Sequence, residues 1–325
     1  MNYPYIATWE ITKKCNLRCI HCLNNSSVYN DYGLRTEDCY KIIDKLDGIK
    51  NLIITGGEAI LRKDIEEITS YARNKFESLI LQTNGKLITN VTDNFLQKFD
   101  EIDVSIYGDV KTDKMFKRTK DTNLEEFFNK MNRIGAKFIV STVLTSVNSD
   151  QMNYLANFSL NNGAKGLRVQ DFVPSGRGLP YLSIDKVKSE TIKDTLKEKY
   201  NDFVIISSDY VCGGGNNFIE ISSKGNISPC AFIESNENIL EKDLQEIIST
   251  SPVFIRFNKI KHKKLNVKSN SMMPTIRKSL TTQLFPYYLL CSNKDMRKGM
   301  PRSIMTNASW VKSHFTTTEK YARCS

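Results

Sequence analysis

Short apolar runs alternate with amphipathic segments through the first 200 residues of this 325-residue chain. The apolar runs are rich in Ile, Leu and Val, which is typical of strands buried on both faces of a parallel sheet. Six are predicted as strands: Tyr5–Ile11, Asn51–Thr55, Ser78–Gln82, Ile102–Ile106, Lys137–Leu144 and Gly166–Phe172. The segments between them have the helical period, and the predicted helices include Asp64–Asn74, Asn90–Phe99, Leu124–Ile134, Asp150–Asn161 and Ile184–Tyr200. This alternation predicts an α/β fold with a parallel sheet and right-handed crossovers.

Three cysteines follow the first predicted strand within eight residues: Cys15, Cys19 and Cys22. Thiolates this close can converge on one metal centre if the backbone curls into a loop. Structural zinc sites and electron-carrying clusters usually take four cysteines, whereas three leave one iron of a cubane open to a substrate or cofactor. Two other interpretations stay open at this point. One is a zinc site with a distant fourth cysteine, and the other is a redox dithiol of Cys19 and Cys22 or simply buried cysteines.

The spacing Cys15-x3-Cys19-x2-Cys22, after a strand and Thr12-Lys13-Lys14, resembles the signature of the radical S-adenosylmethionine (radical SAM) enzymes. The resemblance implies that the three cysteines hold a 4Fe-4S cluster and that S-adenosylmethionine chelates its fourth iron. It also implies a partial (β/α)6 TIM-like barrel over residues 1–200, since six units are too few for an eight-stranded barrel. His21 stands where the family usually has an aromatic residue, and we expect it beside the cofactor.

The same resemblance extends to the ends of the later strands. Gly56-Gly57-Glu58 resembles the family's Gly-Gly-Glu motif, which binds the amino group of the cofactor, although Ala59 replaces the usual proline. From the residues alone, the paired glycines also fit an ordinary strand–helix turn.

Three more residues resemble cofactor-binding positions of the family. Asn84 and Ser105 match positions that line the cofactor pocket, and Arg118 follows the fourth strand, where an arginine often binds the methionine carboxylate. A guanidinium suits that role because it donates two parallel hydrogen bonds to a carboxylate. The structural alternatives are a turn residue for Asn84, a helix cap for Ser105 and a solvated charge for Arg118.

Residues 201–257 predict a second, small, cysteine-containing unit. Cys212 precedes three glycines, and Cys230 ends a predicted hairpin that turns at Lys224-Gly225. This spacing resembles the first half of a SPASM or twitch extension and implies a second, auxiliary 4Fe-4S cluster. The dense cysteine run that completes a SPASM extension is absent, because only Cys291 and Cys324 follow, so the extension is incomplete. Two isolated buried cysteines are the alternative interpretation.

The formal net charge of +10 is concentrated at the C-terminus. Residues 258–325 hold 14 basic and 2 acidic residues, while the rest of the chain holds 32 and 34. We predict a poorly ordered or frameshifted tail rather than a nucleic-acid-binding segment, since no basic helix period or base-stacking aromatic array accompanies the charge.

The chain has no secretory signal peptide and no apolar run near the roughly 20 residues of a membrane span, so we expect a cytoplasmic protein that does not enter a membrane. In a reducing compartment its 8 cysteines are expected to bind metal rather than pair. The chain starts 14 residues before the cluster motif, which predicts no fused leader-peptide-binding domain.

The resemblance implies reductive cleavage of S-adenosylmethionine to a 5′-deoxyadenosyl radical that abstracts hydrogen from a substrate, with flavodoxin or ferredoxin as the reductant. SPASM-type relatives mostly modify peptides or proteins, so we expect an oxidoreductase or maturase that modifies a peptide, with a separate leader-peptide-binding protein as partner. Two alternatives stay open. One is a radical SAM enzyme of small-molecule or cofactor biosynthesis, and the other is a non-catalytic, degenerate iron–sulfur or zinc protein.

Overall fold

Nine strands form one sheet in the computed structural model, which describes residues 4–31, 33–120, 124–207 and 213–257. The first six strands are parallel and stand in the sheet in chain order. They are β1 Ile6–Glu10, β2 Asn51–Thr55, β3 Ser78–Thr83, β4 Glu101–Ser105, β5 Phe138–Leu144 and β6 Leu167–Asp171. The predicted parallel α/β sheet with sequential strand order is therefore confirmed.

Three further strands extend both edges of this sheet. Strand β7 (Val204–Ile206) pairs parallel with β6, and β8 (Phe218–Ile221) pairs parallel with β1. Strand β9 (Ile227–Ser228) then pairs antiparallel with β8. The sheet order is β7-β6-β5-β4-β3-β2-β1-β8-β9, and no pairing among the described residues joins β7 to β9. The barrel is thus open, as predicted, but the strands of residues 201–257 belong to the same sheet as residues 1–200.

Helices follow most of the strands and cover one face of the sheet. They are α1 Thr36–Lys45, α2 Ile65–Arg73, α3 Asp93–Gln97, α4 Val110–Lys117, α5 Leu124–Arg133, α6 Met152–Asn161, α7 Lys186–Tyr200 and α8 Leu244–Thr250. Helix α5 shows why they form, since Leu124, Phe127, Phe128 and Met131 recur at helical spacing and are all buried. Within the described ranges, no helix has the length and apolar character that crossing a bilayer requires.

One predicted helix is shorter than expected. The helix predicted for Asn90–Phe99 starts only at Asp93, because Thr92 has extended backbone and its side chain accepts a hydrogen bond from the Phe95 amide at 3.1 Å. A threonine at this position is a typical N-cap, and it satisfies one of the amides that the first helical turn leaves without a partner.

The two faces of the sheet differ in character. Alternate residues of β1, such as Ala7 and Trp9, face the helices and join the main apolar core. The opposite, inner face carries a smaller apolar cluster that includes Ile6, Phe218 and Phe257. Polar residues occupy the rest of the inner face towards the carboxyl ends of the strands, and this is the end where α/β barrels place their chemistry.

Candidate functional site

A cavity of about 290 Å³ opens on the inner face of the sheet, where the strands end. Thr55, Thr83 and Ser105, the last residues of β2, β3 and β4, all contribute to its wall. Most of the residues predicted for the site line this cavity: Cys15, Cys19, His21, Cys22, Gly56, Gly57, Asn84 and Ser105. Segments from four separate parts of the sequence therefore converge on one cavity.

The cysteine loop leaves the end of β1 and returns on itself. The Cys15 amide donates to the Ser27 carbonyl at 3.0 Å, which closes the loop at its base. Cys15 is buried, Cys19 and Cys22 are partly exposed to the cavity, and none of the three forms a disulfide. The Cys15 Sγ also accepts a hydrogen bond from the Leu17 amide at 3.4 Å.

The three clustered cysteines all line the cavity, and none of them forms a disulfide. No three His, Cys, Asp or Glu side chains in the described ranges are grouped to hold one metal ion. Thiolates that share one tetrahedral ion lie only about 3.8 Å apart, given a metal–sulfur bond of about 2.3 Å. A cubane instead binds each cysteine through a different iron, which spreads the sulfurs over a larger volume. Three cysteines that line one cavity could supply these ligands.

Burial keeps two of these thiols protonated while no cation is bound. The pKa of Cys15 is raised to about 12 by burial, with the nearby Glu58 as the next cause. The pKa of Cys19 is also raised to about 12, first by burial and then by the nearby Cys22. A bound cation reverses this balance, because it favours the thiolate, so metal binding here must release protons.

The Gly56-Gly57-Glu58 turn is fastened to the segment that precedes Cys15. The Gly57 amide donates to the Thr12 carbonyl at 2.7 Å, and the Glu58 amide donates to the Lys14 carbonyl at 2.9 Å. A Cβ atom on Gly57 would lie 2.4 Å from the Lys14 carbonyl oxygen, so no larger residue fits. The glycine pair is therefore required for close packing of the two loops.

Glu58 has a different position from the one its motif suggests. It is buried, and it does not contribute to the cavity wall. Its carboxylate accepts hydrogen bonds from the Asn84 amide at 2.8 Å and from the Thr83 hydroxyl at 2.9 Å. The side chain thus ties the end of β2 to the end of β3.

Asn84 and Ser105 lie at the cavity, but Arg118 does not. The Asn84 amide nitrogen Nδ2 donates to Asn16 of the cysteine loop at 2.9 Å. Arg118 is exposed and ends α4 in the left-handed conformation, with φ of 50°. The cation that α4 brings to the cavity is Lys117, whose Nζ lies 3.0 Å from the buried Asp113 and donates to the Asn84 carbonyl at 3.1 Å.

His21 belongs to an aromatic cluster in the cavity wall. Its Nε2 lies 2.9 Å from the Tyr107 hydroxyl, and Tyr107 in turn stacks on Phe116 at 4.9 Å between ring centroids. Burial, with Lys117 and Arg177 as further causes, lowers the pKa of His21 to about 3, so the ring is neutral. Nδ1 of this ring is buried and has no hydrogen-bond partner among the described residues.

Sequence reasoning did not identify Arg177, which lies in the loop after β6 and binds the cysteine loop. Its Nε donates to the Cys19 carbonyl at 3.0 Å and its Nη2 donates to the Ser26 carbonyl at 2.6 Å. Its amide donates to the Cys22 carbonyl at 2.9 Å. The preceding Gly176 has φ of 56°, and a Cβ there would lie 2.1 Å from the Leu23 carbonyl oxygen.

The predicted auxiliary site is only partly within the described residues. Cys230 is buried in the inner apolar cluster, and it does not itself line the cavity, although the next residues, Ala231 and Phe232, do. Cys212, Cys291 and Cys324 lie outside the described residues, as does the basic segment 258–325.

The family model described as the Radical SAM superfamily matches residues 9–156. Mycofactocin maturase MftC of Mycolicibacterium smegmatis (strain ATCC 700084 / mc(2)155) is 32% identical over 185 residues, which are 55% of this chain and 47% of that protein. GTP 3′,8-cyclase of Helicobacter pylori (strain HPAG1) is 26% identical over 273 residues, which are 72% of this chain and 84% of that one. The chain thus spans about half the length of MftC.

The fold has solved counterparts. Streptococcus suis SuiB bound to its precursor peptide SuiA superimposes with a TM-score of 0.68 at 19% identity, over 79% of this chain and 67% of that chain. At this identity the likeness shows the fold alone. Together with the sheet order, it confirms the partial-barrel architecture predicted for the core.

Proposed function

Because this chain belongs to the radical SAM superfamily, whose members use a 4Fe-4S cluster and S-adenosylmethionine, we propose that it is an enzyme that cleaves S-adenosylmethionine reductively. The observation that carries the proposal is the convergence of Cys15, Cys19 and Cys22 on the same cavity as Gly56 and Gly57. When bound, the reduced cluster and S-adenosylmethionine supply a 5′-deoxyadenosyl radical that removes a hydrogen atom from the substrate.

We assign the residues around the cavity to cofactor roles as follows. Cys15, Cys19 and Cys22 would hold the cluster, and the backbone of Gly56 and Gly57 would approach the amino group of S-adenosylmethionine. The neutral ring of His21 would present an uncharged surface next to the cluster, because its pKa of about 3 keeps it unprotonated. Asn84 and Ser105 would hydrogen-bond the cofactor from the ends of β3 and β4.

Glu58 and Arg118 take other roles in this proposal. Glu58 acts through the two elements that it joins, since its carboxylate is already bonded to Thr83 and Asn84. Lys117 replaces Arg118 as the cation that α4 would offer to the cofactor, because Lys117 lines the cavity and Arg118 is exposed. The surrounding apolar and aromatic side chains would exclude water from the reactive species, as cofactor enzymes of this kind require.

For the substrate we propose a peptide or protein, so that the reaction is a peptide maturation step. The support comes from MftC, which is called a maturase, and from SuiB, whose structure holds a precursor peptide. The match to GTP 3′,8-cyclase, over 72% of this chain, favours a small-molecule substrate as the second candidate. Flavodoxin or ferredoxin as reductant, a leader-peptide-binding protein, an auxiliary cluster on Cys212 and Cys230, and a cytoplasmic location stay predictions.

The experiment that tests this proposal measures 5′-deoxyadenosine from the reconstituted, dithionite-reduced protein, with and without candidate substrates. A peptide encoded beside the gene should raise the yield and should itself change mass. Stimulation by GTP with no effect of the peptide would instead support the small-molecule candidate. Failure to form any 5′-deoxyadenosine would contradict the proposed enzyme activity.

A further inference from the structure

Three buried polar atoms on the inner face of β1 and β8 have no hydrogen-bond partner among the described residues. They are Thr8 Oγ1, Glu10 Oε1 and Glu220 Oε2. Thr8 is 4% exposed, and Glu10 and Glu220 are each 9% exposed. Thr8 and Glu220 both line the cavity. Buried polar groups are nearly always hydrogen-bonded, so three atoms that can accept a hydrogen bond and find no partner among the described residues indicate that a further group binds near this cavity.

The strand register brings these three residues together. Thr8 and Glu220 are paired neighbours in the parallel β1–β8 ladder. Glu10 follows Thr8 by two positions on β1, and side chains two apart in a strand point to the same face. The three acceptors therefore form one group on adjacent strands.

Burial has the largest effect on the two carboxyl groups of this set. Burial raises the pKa of Glu10 to about 7, opposed by Lys13 and by the Ser223 amide and reinforced by Asp31. Burial, and then the nearby Glu10, raise the pKa of Glu220 well above its ordinary value. The buried carboxylate of Asp103 has a different environment. Asp103 on β4 forms an ion pair with Arg168 on β6.

We propose that Thr8, Glu10 and Glu220 form a subsite that binds a primary ammonium group of the substrate, such as a lysine side chain. A primary ammonium has three N–H donors, which matches the three open acceptors in number, whereas a planar guanidinium is suited to paired donation onto one carboxylate. The positive charge would also neutralise the carboxylate pair in a site of low dielectric constant. Phe232 lines the same cavity and offers an apolar surface to the methylene groups of such a side chain.

The place of the subsite in the sheet assigns it to substrate rather than to cofactor. The residues proposed to bind S-adenosylmethionine lie on the loops after β2, β3 and β4, whereas this group lies on β1 and β8. A substrate that enters the cavity would therefore reach the subsite from the side opposite to Ser105. This inference rests on the proposed function, because it names a chemical group that the substrate of the proposed enzyme would carry.

The test measures binding of n-butylammonium to the full chain purified anaerobically, by its effect on the midpoint of thermal unfolding at pH 8. At ten times the dissociation constant, a rise of about 3 °C over matched sodium chloride is expected. Tetramethylammonium, which has no N–H donor, should give no such rise. Glu220→Gln should abolish the rise, while Glu125→Gln, at an exposed position on α5, should keep it.

A second measurement, by infrared spectroscopy, distinguishes loss of binding from a folding defect in one variant. Binding should deprotonate Glu220 and remove a carboxylic acid C=O stretching band from the infrared spectrum, and that band should be absent from Glu220→Gln from the start. Thr8→Val should weaken binding at least several-fold and leave the band in place. An equal rise in Glu220→Gln and in the unaltered chain, or no rise in either, would overturn the proposal.

These measurements are independent of catalysis. They report binding to the chain itself. If the protein binds n-butylammonium but forms no 5′-deoxyadenosine, the proposed subsite is supported and the proposed reaction is contradicted. If the protein forms 5′-deoxyadenosine but shows no Glu220-dependent binding, the proposed reaction is supported and the proposed subsite is contradicted.

Discussion

The Arg177 guanidinium donates from Nε to the Cys19 carbonyl at 3.0 Å, although the two residues are 158 positions apart in the chain. With the bonds to the carbonyls of Cys22 and Ser26, this arginine connects the end of β6 to the loop that carries all three clustered cysteines. The loop after β6 thus positions the first motif of the sequence.

Arg177→Gln is expected to make the proposed cluster less stable without unfolding the protein. The variant loses two hydrogen bonds from a charged donor, each of about 1.5–3 kcal/mol, and the loop becomes less ordered. Iron release to a chelator after anaerobic reconstitution should be at least about tenfold faster, which corresponds to about 1.4 kcal/mol. The rate of iron release from Arg177→Lys should lie between the rates of Arg177→Gln and of the unaltered protein. Lysine keeps the positive charge but lacks the forked donor geometry of arginine.

The matched control for this prediction is Arg133→Gln. Arg133 is an exposed residue that pairs with Asp93 and lies outside the cavity lining. Its replacement should leave iron release unchanged. Equal rates of iron release from Arg177→Gln and from the unaltered protein would show that Arg177 does not hold the cysteine loop in place.

Gly57→Ala should destabilise the fold by more than a backbone effect alone. The added Cβ would lie 2.4 Å from the Lys14 carbonyl oxygen, so the cysteine loop must move. We expect a loss of about 2 kcal/mol or more in the free energy of unfolding by urea, within the range of overpacked sites. Gly135→Ala is the control, since its Cβ meets nothing within 4 Å and its cost of about 1 kcal/mol comes only from a positive φ of 66°. A smaller loss for Gly57→Ala than for Gly135→Ala would contradict this reasoning.

Lys117→Met should cost about 3–5 kcal/mol, because it leaves the carboxylate of Asp113 buried and without its ion-pair partner. The double variant Lys117→Met with Asp113→Asn should recover most of that loss. The side-chain oxygen of the asparagine is neutral and can still accept the hydrogen bond that the Tyr107 backbone N–H donates to Asp113 at 3.1 Å. Urea unfolding of the single and double variants measures the coupling. Additive losses would show that the pair does not act as a unit.

The stability of the chain should fall as the pH rises from about 4.5 to 7 through the contribution of Glu10. Its pKa is about 7 in the folded protein against an ordinary 4.5, so the folded state holds the proton more tightly than the unfolded state. A group of this kind stabilises the fold at low pH, and that contribution of about 3 kcal/mol is lost on ionisation. Glu10→Gln should reduce the difference in unfolding free energy between pH 5 and pH 8, and an unchanged difference would contradict the assignment.

The elements and the local motifs were readable from the sequence because both depend on nearby residues. The apolar runs gave six strands in the correct order. The cysteine loop and the glycine pair were recognised because their spacing resembles the motifs of the radical SAM enzymes. Each of these is a property of a stretch of about ten residues. The convergence of these stretches followed from one rule, that parallel strands end at the same edge of a sheet.

What the sequence did not show depends on contacts between distant segments or on a local change of chain direction. Arg177 acts on carbonyl groups, which any loop possesses, so no side-chain pattern marks its partners. Arg118 was expected at the site, but the left-handed conformation at that residue ends α4 and leaves Lys117 facing the cavity. The signal that could have identified Lys117 is its i, i+4 spacing from Asp113.

The most direct test of the central claim is anaerobic reconstitution with iron and sulfide, followed by dithionite reduction in the presence of S-adenosylmethionine. We predict about four irons per chain from the first three cysteines, or about eight if Cys212 and Cys230 assemble a second cluster, together with 5′-deoxyadenosine. The variant with alanine at Cys15, Cys19 and Cys22 should form none. Iron binding without 5′-deoxyadenosine, or preferential binding of zinc, would contradict the account.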